Sequence, residues 1–339
     1  MSRVKVAVLG GSGYTAVELI KLLLRHPGAE IAVVTSRQEP GKPVSTEHPS
    51  LLARCDLPME QFDPDALKAK GVGCAFGCLP HGLSAEVVAP LLDRGIRVVD
   101  LSADYRLKDP AVYAEWYGSP HHDTKNLTHA VYGLPELYAD RIRTAKLVAN
   151  PGCYPQTGIL GLAPLVAEKL IDLNTVVIDS KSGVSGAGRT PKLTTHFPEC
   201  NESLIAYNVG KHRHTPEIEQ TLSDVAGTSV SVIFTPHLIP MDRGIFSTIY
   251  ATPTKSVAEK DLTVLYRRYY AGKPFVRVRD TLPATKDTAH TNFLDVCVRV
   301  VKGRVVVLAC EDNLVRGASG VAVQNFNLMF GFSETTALL

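Results

Sequence analysis

Short unbroken apolar runs alternate with stretches that repeat every three to four residues through the first third of the chain. Residues 4–9, with Val4, Val6, Ala7, Val8 and Leu9, form the continuous run that a strand buried on both faces requires. A glycine turn follows. Val17, Ile20, Leu23 and Leu24 then recur at helical spacing until Pro27-Gly28 stops the helix. Residues 31–35, 73–78 and 96–101 read as further buried strands, and residues 63–70 and 85–94 as helices between them. Strand and helix in strict alternation predict a parallel α/β sheet. Residues 38–62 and 109–140 carry prolines, aromatics and histidines without a sustained period and are expected to be irregular.

The pattern changes beyond a short apolar run at 146–149. Residues 157–170 have helical composition, with Pro155 suited to the first turn. Residues 175–179, 229–235, 245–251, 275–278, 293–301 and 304–311 read as strands, the last two joined tightly at Lys302-Gly303. A helix is expected over 257–270, another started by Thr215 as cap and Pro216, and an amphipathic terminal helix over 321–330. These suggest a second domain on a mixed or antiparallel sheet. No internal repeat or low-complexity tract is present.

Length and charge add limits. The 339 residues suffice for two domains, each with its own core. With 21% charged residues and a net charge of +2, nothing points to nucleic acid or a membrane as partner, whereas a small anionic ligand is compatible. The N-terminus runs straight into a strand pattern without a targeting segment, and no apolar run reaches membrane-spanning length. Seven cysteines, odd in number and scattered, fit a reducing cytoplasm better than a disulfide framework. Cys74 and Cys78 lack a second pair at zinc spacing and read as core packing, so no metal is expected. His121-His122 lacks a third ligand and reads as surface.

Candidate chemistry sits at strand ends. Gly10, Ser12, Gly13, Tyr14, Thr15 and Ala16 between a strand and a helix form a turn that lets backbone approach a pyrophosphate. The end of the second strand normally carries an acid for a ribose 2′-hydroxyl. Here it carries Thr35, Ser36 and Arg37, suited to a 2′-phosphate, so NADP is favoured over NAD. Pro80 and His81 lie in a loop at the carboxyl end of another strand, where α/β folds bind ligands, and His81 is placed beside the cofactor. Asp104 and Arg106 either pair with each other or line the site.

Cys153, in Asn150-Pro151-Gly152-Cys153-Tyr154-Pro155, stands at the start of a helix. Free backbone N–H groups and the positive end of the helix dipole favour a thiolate there and can hold an oxyanion built on the carbon it attacks. It is read as the nucleophile. Residues 180–189 form a polar loop with Lys181 and Arg189 near its ends, which either holds an anion or is a mobile connector. His212 precedes a helix and can serve as proton donor and acceptor, with Glu217 to orient it; Lys211, Arg213 and His214 beside it also make a basic patch. His237 competes for the same role. Two other classes use part of this set: a thiol hydrolase or acyltransferase, and a non-catalytic NADP-binding regulator.

With these motifs in place, nearly the whole chain resembles the N-acetyl-γ-glutamyl-phosphate reductases, the arginine-biosynthesis family of the semialdehyde dehydrogenase superfamily. The resemblance rests on the glycine turn, Leu79-Pro80-His81-Gly82, residues 101–106, the Cys153 motif, residues 182–189 and 212–217, Pro236 to Gly244, and residues 313–320. The position often held by glycine in the first motif is Ala16 here. The resemblance implies a Rossmann-type NADP domain over 1–150. It also implies an α+β catalytic and oligomerisation domain over 151–312, and a terminal helix, 313–339, that returns to the first domain. It further implies cofactor contacts at Pro80, Ser182, Gly183 and Asn313, and substrate or phosphate contacts at Ser185, Gly186, Arg189 and Arg213. His212 becomes the acid/base partner of Cys153, and Glu217 its neighbour. The implied reaction is NADPH-dependent conversion of an acyl phosphate to a semialdehyde and inorganic phosphate through a Cys153 thioester, in a homodimer or homotetramer. Relatives acting on aminoadipate or aspartate substrates remain alternatives.

Overall fold

A computed structural model describes residues 3–339. Contacts divide the chain into two compact units, Met1–Pro151 with Ala318–Leu339, and Gly152–Gly317. The junctions fall at 151/152 and 317/318, against 150/151 and 312/313 expected from sequence.

The first unit is built on seven parallel strands: β1 (Val4–Leu9), β2 (Ala29–Thr35), β3 (Met59–Glu60), β4 (Cys74–Gly77), β5 (Arg97–Asp100), β6 (Val131–Tyr132) and β7 (Leu147–Ala149). Their order, β3-β2-β1-β4-β5-β7-β6, reverses direction between β1 and β4, the switch point where such sheets bind ligands. Val6, Ala7, Val8 and Leu9 are all buried, as a strand covered on both faces demands. Helix Tyr14–Leu23 follows β1 and helix Ser84–Asp93 follows β4.

Several expectations need correction. Residues 38–62 contain a short helix, Val44–Glu47, a 3₁₀ turn, Pro49–Leu51, and strand β3. Residues 109–140 hold helices Pro110–Tyr117, Thr124–Leu127 and Pro135–Thr144, the last begun within this stretch, and strand β6. Aspartates make the first two starts: the Asp109 carboxylate accepts from Ala111 N and that of Asp123 from Asn126 N. His121 is buried, not at the surface, and its Nε2 bonds Asp104 O at 2.7 Å. The terminal helix Gly320–Met329 is not amphipathic: all ten residues are buried. Its amides find partners inside the unit, among them Asn325 Nδ2 to Gly133 O at 2.9 Å and Asn327 Oδ1 with His26 Nε2 at 2.7 Å.

The second unit is a mixed sheet of β8 (Val177–Gly183), β9 (Ile205–Ala206), β10 (Ile233–Ile239), β11 (Ile245–Ala251), β12 (Val276–Val278), β13 (Leu294–Val301) and β14 (Arg304–Glu311). The order is β12-β13-β14-β11-β8-β10-β9, with β8/β10 and β12/β13 parallel and the other pairs antiparallel. The β13–β14 hairpin turns on Lys302 and Gly303 at φ 48° and 75°, the left-handed pair that a tight hairpin needs. Residues 180–183, expected in a flexible loop, are the second half of β8. Their hydroxyls are satisfied by neighbours: Ser180 Oγ lies 2.6 Å from Ser247 Oγ, and Ser182 Oγ donates to the Gly183 carbonyl at 2.9 Å. His237, past the end of the strand expected over 229–235, is in β10.

Helix Cys153–Ala167 packs on this sheet through its glycines. A Cβ on Gly161 would lie 2.7 Å from Ile249 Cδ1. Pro164 has no N–H for the Leu160 carbonyl one turn earlier, and the Tyr270 hydroxyl donates to that carbonyl instead. Tyr266 OH donates likewise to Gly161 O at 2.5 Å. Tyr270→Phe is expected to lower unfolding stability by about 1–3 kcal/mol, because the Leu160 carbonyl is then buried without its donor; urea denaturation measures it.

Candidate active site

In the first unit the glycine turn is set by close packing. Gly10 has φ +86°, and a Cβ there would lie 2.6 Å from Cys78 O; one on Gly11 would lie 2.4 Å from Val34 Cγ1. Gly13, by contrast, has only Thr15 Oγ1 at 3.9 Å near its missing Cβ, and it caps helix Tyr14–Leu23 without a side-chain bond. The first-turn amides of Tyr14, Thr15 and Ala16 are therefore open to an anion, which fits a dinucleotide pyrophosphate. Beside Gly10, a narrow cleft is lined by Leu9, Thr35, Ser36, Arg37, Phe62, Leu79 and Val87. Ser12 lies in the turn and Pro80 in the loop after β4. Cys78 follows β4; burial, eased by a hydrogen bond to Thr15, pushes its thiol up to about 12, so it stays an inert thiol.

The end of β2 carries the two expected selectivity residues. Ser36 Oγ accepts from Gln38 N and Glu39 N at 3.3 and 3.1 Å, which turns it back into its own loop. The Arg37 guanidinium bonds Glu86 Oε2 at 2.9 Å, with side chains 56% and 59% exposed. Glu86, in the first turn of helix Ser84–Asp93, carries no sequence motif that marks it.

The second unit gathers Cys153 and its neighbours. Cys153 is the first residue of its helix, and Gly152 before it donates its N–H to Glu217 Oε1 at 2.7 Å. Glu217 is buried in helix Thr215–Ala226, so it anchors the backbone that presents the thiol. The cap of that helix is His214 rather than Thr215, which occupies the first turn. Gly317 closes the other side: a Cβ on it would lie 2.8 Å from Cys153 Cβ and 2.9 Å from Glu311 Oε1.

His212 sits edge-on to the rings of Tyr154, Tyr207 and Phe234, at 5.6, 5.4 and 5.3 Å. Both tyrosine hydroxyls feel the charge of Cys153, and burial foremost holds them well above the ordinary phenol range. They form a donor chain: Tyr207 OH to Tyr154 OH at 3.1 Å, then Tyr154 OH to His237 O at 3.1 Å. Burial, and then Arg213, lower His212 to about 4, so it is neutral at physiological pH. The His214 backbone N–H donates to His212 Nδ1 at 3.2 Å, which leaves the neutral ring's proton on Nε2. His237 lies on the other face of β10 from Phe234, because successive strand residues alternate, and its Nδ1 is 3.2 Å from Asp179 Oδ1. The geometry thus places the ring of His212 against those of Tyr154 and Phe234, whereas His237 meets Tyr154 through its backbone carbonyl.

Asn313 ties two loops, accepting from Gly244 N at 2.7 Å and donating to Ser185 Oγ at 3.0 Å. Ser185 Oγ in turn donates to Asp242 O at 2.5 Å. Gly183 has no room for a side chain, since a Cβ would lie 2.6 Å from Asp242 O. Ser182 is buried, while Gly186, Arg189 and Arg213 are exposed. Tyr154 and Tyr207 carry no role in the sequence reading, although Tyr154 stands in the Cys153 motif and Tyr207 five residues before His212.

A family model described as "Semialdehyde dehydrogenase, NAD binding domain" matches residues 5–145, and one described as "Semialdehyde dehydrogenase, dimerisation domain" matches residues 153–313. The chain is 50% identical over 343 residues to an N-acetyl-gamma-glutamyl-phosphate reductase of Rhodopirellula baltica, covering 100% of this chain and 99% of the relative. It is 51% identical over 340 residues to the reductase of the same name from Desulforudis audaxviator, covering 99% and 98%. The chain belongs to the N-acetyl-γ-glutamyl-phosphate reductase family. As a member of that family it carries an NAD-binding domain and a dimerisation domain of the kind that builds homo-oligomers. Solved structures agree on the family's fold. Aspartate semialdehyde dehydrogenase II from Vibrio cholerae, complexed with ASA, matches with a TM-score of 0.74 at 15% identity over 98% of this chain and 99% of its own. The Candida albicans aspartate semialdehyde dehydrogenase with NADP also gives 0.74, at 16% identity over 97% and 99%. No helix among the described residues is long and apolar enough to cross a membrane.

Proposed function

We propose that this protein reduces N-acetyl-γ-glutamyl phosphate to N-acetylglutamate 5-semialdehyde in arginine biosynthesis, with NADPH as reductant and a thioester on Cys153. It works as a cytoplasmic homodimer or homotetramer. The observation that carries the reading is the seat of Cys153, first in its helix, with the preceding amide held by Glu217 and the His212–Tyr207–Tyr154 cluster alongside. Attack by the Cys153 sulfur on the γ-carbonyl carbon forms a C–S bond. Collapse then breaks the C–O bond to phosphate, and the departing phosphate takes up the proton that the net reaction consumes. NADPH, when bound, supplies the hydride that reduces the thioester. Expulsion of the sulfur as thiolate releases the aldehyde, so the nucleophile returns in the form in which it began.

His212 acts in both addition steps. As a neutral ring protonated on Nε2, it donates to the carbonyl oxygen as negative charge develops, together with backbone amides at the helix start. Arg189 and Arg213 hold the phosphate, with Ser185 and Gly186 shaping the loop beside it. Gly10, Ser12, Gly13, Tyr14 and Thr15 hold the pyrophosphate, and Pro80 adds a further cofactor contact.

Phosphate-dependent oxidation assayed with N-acetylglutamate, aminoadipate and aspartate semialdehydes tests the substrate. The N-acetylglutamate compound should have the highest kcat/KM by at least an order of magnitude; a preference for either other aldehyde would refute the assignment. Arg37 is the 2′-phosphate ligand, and Glu86 competes for it. Glu86→Gln is expected to tighten NADPH binding about two- to fivefold while leaving NADH binding unchanged, since an exposed pair of this kind is worth about 0–1 kcal/mol. Fluorescence titration reads both constants.

A further inference from the structure

Helix Ser84–Asp93 starts badly by its own sequence: its cap is Leu83, which has no side-chain acceptor to offer the first-turn amides. The acceptor comes from the next strand's loop. Asp104, 1% exposed, takes Ser84 N on Oδ2 at 2.9 Å and Gly82 N on Oδ1 at 2.7 Å. A third tie runs beside these, from Ala103 N to His81 Nδ1 at 3.0 Å. That bond leaves a neutral His81 with its proton on Nε2. Asp104 is itself held from behind. Tyr113 OH donates to Oδ1 at 3.0 Å, Ser102 Oγ accepts Asp104 N at 3.1 Å, and His121 bonds its carbonyl. Beneath it, Ser84 Oγ and Ser102 Oγ both donate to buried Asp100, each at 2.7 Å. Gly82, at φ +85°, gives the loop the turn that aims two amides at one carboxylate.

We propose that Asp104 is a positioning residue for the cofactor site: its carboxylate caps helix Ser84–Asp93 from outside and locks residues 80–84 so that Pro80 and His81 meet the dinucleotide. The proposal rests on the reading of the first unit as the dinucleotide site. It explains why a buried carboxylate stands there at all, since two backbone amides and a phenol satisfy it and no cation is needed. Asp104 acts through the loop and does not touch the reacting atoms, so loss of its carboxylate belongs in cofactor affinity rather than in turnover.

The test compares Asp104→Asn with Tyr113→Phe. The amide variant keeps one acceptor oxygen but turns an NH₂ toward a backbone N–H, so one loop tie is lost. NADPH Kd, read by nucleotide fluorescence, should weaken about tenfold, with the KM for NADPH rising in parallel and kcat at saturating NADPH within about threefold of wild type. Tyr113→Phe removes a bond to the same carboxylate without freeing the loop; it should lower Tm and leave NADPH Kd within about twofold. A folded Asp104→Asn protein with unchanged Kd, or an equal loss of affinity in Tyr113→Phe, would overturn the proposal. Hydrogen exchange on wild-type protein keeps the test independent of folding of the variant: the Gly82 and Ser84 amides should exchange slowly without nucleotide, and fast exchange there would contradict a preformed clamp. If wild-type protein bound neither NADPH nor NADH, the cofactor reading itself would fail, while the exchange measurement would still decide the clamp.

Discussion

Cys153→Ser is expected to lower kcat by roughly a millionfold, the scale on which removal of a covalent nucleophile acts, while leaving the NADPH dissociation constant within about twofold of wild type. The serine hydroxyl keeps the place and nearly the size of the thiol, so the helix start and the Gly152–Glu217 bond persist. What is lost is the nucleophile. A hydroxyl at the same site stays protonated, whereas the helix N-terminus favours the anionic sulfur. The nucleotide turn lies elsewhere in sequence, at residues 10–16, and keeps its glycines, so binding of the reductant serves as the internal control. Steady-state turnover, a fluorescence titration and a thermal melt on the same preparation separate lost chemistry from lost folding. Residual turnover above about one part in a hundred would exclude an obligatory thioester.

His212→Asn is expected to cost about 10²–10³ in kcat with a smaller change in KM, as when one oxyanion donor is removed. Asparagine can present an N–H but cannot place it where the imidazole Nε2 points. His237→Asn, on the opposite face of β10, should leave kcat within about threefold. A pH signature goes with this assignment. Because burial lowers His212 to about 4, the folded protein does not take up its proton until well below the ordinary value of 6.5, whereas the unfolded chain does. The unfolded state therefore binds more protons between pH 6.5 and about 4. The contribution of His212 to stability is present above pH 6.5 and is lost as pH falls through that window. Urea midpoints should drop over pH 6.5 to 4 more steeply for wild type than for His212→Asn. Any acid limb of kcat/KM that belongs to His212 should likewise lie near pH 4 rather than near 6.5.

The strands and the glycine turn of the first unit were legible because each signal was local: an unbroken apolar run, a Gly-x-x-Gly turn, a helical repeat stopped by Pro27-Gly28. The helix behind Cys153 was legible for the same reason. Where the sequence misled, tertiary partners had taken over a local rule. Ser180 and Ser182 read as loop because they are polar, yet they lie in β8, where Ser247 and the Gly183 carbonyl satisfy their hydroxyls. The terminal helix looked amphipathic from Gln324, Asn325 and Asn327, but those amides find partners inside the unit. His121 lacked a metal pattern and was assigned to the surface; its reason for burial, the Asp104 carbonyl, is 17 residues away in sequence. Helices Pro110–Tyr117 and Pro135–Thr144 had start signals in Asp109-Pro110 and Pro135, but aromatic and charged residues obscured their period. At the site, the motifs single out Cys153 and His212 as candidates. The Tyr207–Tyr154 chain and the close fit of Gly317 could not be read there, because they exist only when segments from across the second unit fold together.

In the proposed mechanism Cys153 carries the acyl group before any hydride moves. The direct measurement is to mix the enzyme with N-acetyl-γ-glutamyl phosphate without NADPH and follow phosphate release alongside the mass of the peptide that contains Cys153. The mechanism predicts a burst of one phosphate per chain and an N-acetylglutamyl adduct on Cys153 that disappears when NADPH is added. No burst and an unmodified peptide, with phosphate appearing only once NADPH is present, would contradict it.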